Sequence, residues 1–160
     1  MVEKKNYISW IRSKVGKELI FLNFAVAVIF DESGRMLLQK RSDSKKWGLL
    51  GGHVELNESF KEGVIREVSE ETGLTVIPYK LLGIYSDPKS RTVYPNGDVG
   101  RPVAVVFYCK IVRGKIDRTR LPKETLDLKY FRRNELPEIW NNHSKRIIKD
   151  AFKKKEAVCY

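Results

Sequence analysis

The chain has 160 residues, 42% of them hydrophobic and 32% charged, and 31 Lys and Arg against 20 Asp and Glu give a formal net charge of +11. That length suits one domain with a real core, and no apolar run approaches the roughly 20 residues of a membrane-spanning helix. The positive balance points to anionic partners, whether nucleotides, nucleic acid or acidic surfaces, without choosing among them.

The two cysteines, Cys109 and Cys159, stand in no CxxC spacing, which argues against a zinc or redox pair and suits a reducing compartment. The first residues, MVEKKNYISW, lack the apolar core of a secretory signal, so the expected location is cytoplasmic.

In chain order, residues 6–15 carry Tyr7, Ile8, Trp10, Ile11 and Val15 at amphipathic helical spacing. Trp10 is the candidate anchor of this arm, on the main body or on a second copy of the chain in a homodimer. Residues 20–30, IFLNFAVAVIF, read as a strand buried on both faces. Asp31 to Gly34 form a turn, and Met36 to Arg41 return as a second strand, which predicts a hairpin. Arg41 is a candidate phosphate contact or a plain surface cation. Trp47 is a candidate wall of the site, stacking on a base, or a core residue.

The next stretch, residues 52–74, reads GHVELNESFKEGVIREVSEETGL. Ser59 and Glu62 fit a capping box, and Gly73 fits the left-handed position that ends a helix. Phe60, Val64 and Val68 recur every four residues as a buried stripe. Glu67, Glu70 and Glu71 lie three and four apart and so share a face, with Arg66 one turn before Glu70. Bunched carboxylates call for a cation among them, and a hard divalent ion such as Mg²⁺ is the natural choice, with Mn²⁺ as a substitute. The plain alternative is a solvated acidic face. The lack of alternating Lys at i+4 and the preceding Gly51-Gly52 pair speak against it.

Residues 75–77 and 79–86 are strand-like around Pro78. Residues 87–100 are a polar, turn-rich loop of a length that is often functional. Residues 102–112 read as another buried strand. Residues 143–156 have Ile147, Ile148, Ala151 and Phe152 at helical spacing, with Lys and Arg gathered toward the end. Lys145, Arg146, Lys149 and Lys153 to Lys155 either contact phosphates of a nucleic acid or form a solvated helix face. The two histidines do not cluster, and no P-loop or Ser/His/Asp arrangement is visible.

The stretch from Gly52 to Leu74 resembles the signature of the Nudix hydrolases. Gly52, Glu58, Arg66, Glu67, Val68, Glu70, Glu71, Gly73 and Leu74 fill every fixed position of that signature, and a match of this length with intact spacing is specific. Nudix proteins usually carry Pro where Leu50 stands, a change in turn rigidity rather than in ligands. The resemblance implies an α/β (α+β) fold, an α/β/α sandwich around a mixed β-sheet. It also implies one domain over residues 1–160, with a helical arm at 1–19 and a basic helix at 141–160. It implies metal ligation by Glu67, Glu70, Glu71 and the Gly52 carbonyl, with Arg66 orienting the glutamates and Glu58 pairing with it.

The candidate general bases are Glu70 and, from the loop before a later strand, Glu124, whose alternative is a loop salt bridge. The implied reaction is Mg²⁺-dependent cleavage of the pyrophosphate of a nucleoside diphosphate linked to another moiety. Tyr85-Ser86-Asp87-Pro88 resembles ADP-ribose pyrophosphatases, which makes Pro88 a candidate substrate contact. The insertion Tyr94 to Asp98 departs from that pattern and makes Asp98 a candidate contact in a different base or sugar pocket. The competing reading is a non-catalytic Nudix-like nucleotide- or RNA-binding module. Such modules commonly lose signature glutamates, and this chain keeps them all.

Overall fold

A computed structural model describes residues 7–94 and 96–160. Residues 1–6, the start of the expected arm, and Pro95, in the expected insertion, lie outside the described residues.

Two sheets share the strands. The larger runs β4 (Leu50–His53), β1 (Ile20–Ile29), β7 (Val99–Arg113), β5 (Thr75–Tyr85) and β9 (Val158–Cys159), with β6 (Thr92–Val93) paired to β7. The smaller runs β3 (Trp47–Gly48), β2 (Met36–Arg41) and β8 (Thr125–Phe131). The larger sheet is mixed: β1 runs parallel to β7 over ten residue pairs, from Ile20–Gly100 to Ile29–Cys109, and antiparallel to β4.

Strand β1 is apolar on both faces because both are covered. Ala25, Ala27 and Ile29 pack with Val64 and Val68 of helix α2 (Phe60–Thr72). Phe24, Val26 and Val28 face Ile147, Ile148 and Ala151 of helix α3 (Asn142–Phe152). The period of two along a strand thus places α2 and α3 on opposite faces of the sheet, the expected sandwich.

Three local expectations are corrected. The β1–β2 hairpin does not form: only an isolated bridge, Phe30–Met36, joins the two strands, and β2 crosses to the smaller sheet. The turn itself is as read, with Asp31 Oδ1 accepting from the N–H groups of Ser33 and Arg35. Its strands instead find longer ladders elsewhere. Strand β5 runs unbroken through Pro78, with a register shift between Pro78 and Lys80 where the proline has no N–H to give. The last helix ends at Phe152, and β9 then pairs parallel to β5.

Helix α1 (Tyr7–Val15) buries no residue completely. Trp10, the expected anchor, is 42% exposed. Polar contacts hold the helix instead. The Tyr7 N–H donates to Glu55 at 2.7 Å, and Arg12 donates to the Val99 carbonyl at 2.7 Å. Among the described residues, no helix is long and apolar enough to cross a membrane.

Candidate active site

Helix α2 is fixed at both ends by its own sequence. The Ser59 hydroxyl accepts from the Glu62 N–H at 3.2 Å, and the Glu62 carboxylate accepts from the Ser59 N–H at 2.8 Å, a closed capping box. Gly73 ends the helix at φ +73° and donates its N–H to Ser69. Val64 and Val68, both fully buried, set the rotation of the helix about its axis. That rotation decides where the acidic side chains go.

Arg66 sits at the centre of them. Its Nε and Nη2 donate to the two oxygens of Glu58 at 2.9 and 2.6 Å, a bidentate pair. Its Nη1 donates to Glu67 at 2.7 Å and to Glu70 at 3.2 Å, and Nη2 also reaches the His53 carbonyl at 2.9 Å. One guanidinium therefore ties α2 to the loop before it and to the end of β4. The bonds to Glu58 do most to hold it protonated.

Glu67 and Glu70 meet at Arg66 Nη1, but the three signature glutamates do not gather at one point. Glu67 and Glu71, one turn apart, face β4, while Glu70 is turned toward solvent with its side chain 61% exposed. Among the described residues, no three Asp, Glu, His or Cys side chains form a metal-holding group. The buried valine stripe leaves room beside the sheet for one i, i+4 pair, and Glu70, about 60° round the helix from Glu67 and about 100° from Glu71, falls outside it.

Glu71 is buried and accepts from the Gly51 N–H at 2.8 Å. Burial pushes its carboxyl up to about 8, the charge of Glu67 adds to the rise, and the Gly51 N–H opposes it. Burial also raises Glu67, against the pull of Arg66. Gly51 stands at φ +135°, open to glycine and strained for other residues, and a Cβ there would strike the β1 backbone at Ala25. A Cβ on Gly52 would fall inside the Glu67 carboxylate. The glycine pair thus lets the β4 backbone and two carboxylates crowd together, each carboxylate pushed toward protonation by burial.

Such a donor set fits a divalent ion. Mg²⁺ is commonly held by one or two carboxylates plus water and substrate phosphate rather than by an all-protein cage.

Beside Gly51 opens a cleft of about 270 Å³, whose lining includes Gly51, His53, Arg41, Tyr94, Trp140 and His143. Phe24 and His53, paired across β1 and β4, stack at 4.3 Å between ring centroids. Arg41 lies over the Trp140 ring at 4.5 Å and pairs with Asp43 at 2.6 Å. Burial depresses His53, which holds its imidazole toward the neutral form.

The remaining expected site residues fall in different places. Arg41 lines the cleft. Trp47 does not: its ring packs edge-on against Phe131, in the core. The indole that lines the cleft belongs to Trp140, which the sequence reading missed. Its one local signal was an aromatic residue in a polar connection just before a helix. A Cβ on Gly48 would come within 2.9 Å of that indole, so Gly48 is what lets it lie across β3.

Pro88 is exposed and lines neither the cleft nor the cavity that holds Asp98. Asp98 lines that second cavity, of about 320 Å³, together with Arg12. Glu124 is exposed, and its carbonyl accepts from the Ser42 N–H at 3.0 Å. Its side chain makes no ion pair among the described residues. It directly precedes Thr125, whose hydroxyl donates to the Glu71 carbonyl at 3.2 Å.

Comparison with known proteins agrees with this geometry. The NUDIX domain model matches residues 21–151. An ADP-ribose pyrophosphatase from Methanocaldococcus jannaschii is 36% identical over 142 residues, covering 86% of this chain and 78% of that one. A MutT-like protein from Streptomyces ambofaciens is 40% identical over 92 residues, covering 58% of this chain and 53% of that one. Among solved structures, a Nudix hydrolase from Nitrosomonas europaea superposes at a TM-score of 0.69 with 22% identity, over 86% of this chain and 76% of that one, a likeness of fold alone. With its capped helix, Arg66-centred carboxylates and Gly51-Gly52 turn in that order, the chain belongs to the Nudix hydrolase family.

Proposed function

We propose that the protein is a Mg²⁺-dependent pyrophosphohydrolase of nucleoside diphosphates linked to a second moiety, with ADP-ribose as the leading substrate. The observation that carries this reading is the packing of Glu67 and Glu71 against Gly51-Gly52, a glycine pair whose Gly51 also lines the aromatic cleft. The similarity to the M. jannaschii ADP-ribose pyrophosphatase favours the substrate.

Glu67, Glu71, the Gly52 carbonyl and, after a side-chain rotation, Glu70 would hold the metal. Bound there, the ion supplies positive charge to the non-bridging phosphate oxygens and lowers the pKa of a ligated water. The protein does the rest. Arg66 holds Glu67 and Glu58 in register, so the carboxylates need not reorganise as charge develops. Arg41 and Trp140 offer a cation and an aromatic face to a nucleobase and its phosphates. Glu70 or Glu124 accepts the proton of the attacking water. The water oxygen adds to one phosphorus while the bridging P–O bond breaks, giving two phosphate monoesters.

The test is a nucleotide panel with Mg²⁺ and with Mn²⁺, read by product identity. ADP-ribose should give AMP and ribose 5-phosphate. No turnover of any nucleotide with either ion would overturn the reading. Comparing Glu70→Gln with Glu124→Gln then assigns the base, since only the base variant should lose the rise of kcat with pH.

A further inference from the structure

The cavity lined by Asp98 has no part in holding the carboxylates or the base, yet it is built like a binding site. It lies between α1, the start of β1 and the loop after β6, and its lining includes Ile8, Arg12, Leu22, His53, Asn96 and Asp98. Leu22, His53 and Tyr94 line both this cavity and the aromatic cleft, so the two spaces meet at His53.

Two buried nitrogens on its walls, Arg12 Nε and His53 Nε2, have no hydrogen-bond partner among the described residues. The Arg12 side chain is only 10% exposed, and its Nε stands 3.6 Å from the Asp98 carboxylate, beyond hydrogen-bond length. Buried polar atoms without partners are costly, and each calls for an explanation. A bound group that supplies acceptors is one.

The charge pattern selects the kind of group. Arg12 and Asp98 offset each other, so the cavity presents donors and acceptors without a net positive field. A terminal phosphate would meet the Asp98 carboxylate and be repelled. A sugar would not. Its hydroxyls can donate to Asp98 and to the Asn96 amide oxygen and accept from Arg12, while Ile8 and Leu22 offer apolar surface to its C–H faces. Flat aromatic walls suited to a base lie in the neighbouring cleft instead.

Resting on the hydrolase reading above, we infer that this cavity is a subsite for an uncharged, hydroxyl-bearing moiety, the sugar of a nucleoside diphosphate sugar, and that α1 supplies one wall of it. Arg12 and Asp98 are then specificity-determining residues, and the enzyme prefers such a substrate to the matching nucleoside triphosphate.

The experiment uses the full chain and two variants, Asp98→Leu, which removes the acceptor, and Ile8→Trp, which fills the space. With Mg²⁺, the ratio of kcat/KM for ADP-ribose to that for ATP should fall at least tenfold in each, chiefly through KM for ADP-ribose. A ratio unchanged in both variants overturns the subsite. Binding of D-ribose, which carries no phosphate, to the metal-free protein, followed by calorimetry, separates the two readings. Wild-type binding that weakens at least tenfold in both variants supports the subsite, even if no nucleotide is hydrolysed and the hydrolase reading falls. Absent binding, or binding indifferent to both substitutions, overturns the subsite even if nucleotides are hydrolysed.

Discussion

The acidic wall of the site is assembled from residues 51 to 71, one turn and one helix, and meets the cleft only at Gly51 and His53, whereas the aromatic wall of the cleft draws Arg41, Tyr94, Trp140 and His143 from four separate parts of the chain. The first wall is rigid for local reasons. Its helix is capped at both ends, pinned by a bidentate arginine and seated on two fully buried valines. The second wall and the adjoining helix α1 are held by long-range contacts, such as Arg12 to Val99 and Trp140 over Gly48. Reaction chemistry needs carboxylates at fixed separations, which a single helix provides. Substrate choice needs a shaped space, which several connections must enclose, and these can vary without disturbing the chemistry.

The division breaks if the acidic wall can be altered without loss of rate. Glu71→Gln keeps the shape and removes the ionisable carboxyl. It should lower kcat by about a hundredfold or more, with circular dichroism unchanged. Near-full activity would move the chemistry elsewhere. Arg66→Lys tests whether the tie itself matters. Lysine cannot make the two parallel bonds to Glu58 while reaching Glu67 and the His53 carbonyl, so kcat should fall by roughly tenfold or more with little change in KM.

The same asymmetry governs what could be read from sequence. The capping box, the Gly73 stop, the valine stripe and the Arg66 pairing are all relations over eight residues or fewer, and the structure shows each of them. The exposure of Glu70 beside the inward pair Glu67 and Glu71 has no local signal, because it depends on which face the valines seat against the sheet. Strand β1 was legible as doubly buried, but its partners β4 and β7 were not, because local pattern carries no information on pairing at a distance. Of the two roles open to Trp47 the core one holds, and the indole of the cleft, Trp140, carried no expectation, for a similar reason. Both are aromatics near the signature or the last helix, and only the pairing of β3 with β2, which brings the Trp47 ring against Phe131, decides which ring enters the core. Strand β9, two residues long, has no periodicity to detect.

Stability should follow the comparison too. Val68→Ala empties space at a fully buried position beneath the acidic wall and should cost roughly 2 kcal/mol in chemical denaturation. Ile11→Ala lies on α1, where no side chain is fully buried, and should cost less than half as much. Equal losses would mean that α1 is as much a part of the core as α2.

The smallest effect belongs to the far wall. His143 stands at the start of α3, its ring edge-on to Tyr85 and its Nε2 without a hydrogen-bond partner among the described residues. Burial depresses it below its ordinary value of 6.5, with Arg146 acting in the same direction and Asp87 against. The unfolded chain therefore takes up a proton on this residue before the folded protein does. Its contribution to stability is complete above pH 6.5 and is lost as pH falls through the depressed value. His143→Phe keeps the ring contact with Tyr85 and abolishes the titration. Thermal unfolding of the two proteins, compared between pH 7.5 and pH 5, should show the wild type losing more of its midpoint than the variant, with the gap opening only below about pH 6.5. A constant gap across that range would mean that His143 is as readily protonated in the folded protein as in the unfolded chain, and that the far wall is wetter than its packing implies.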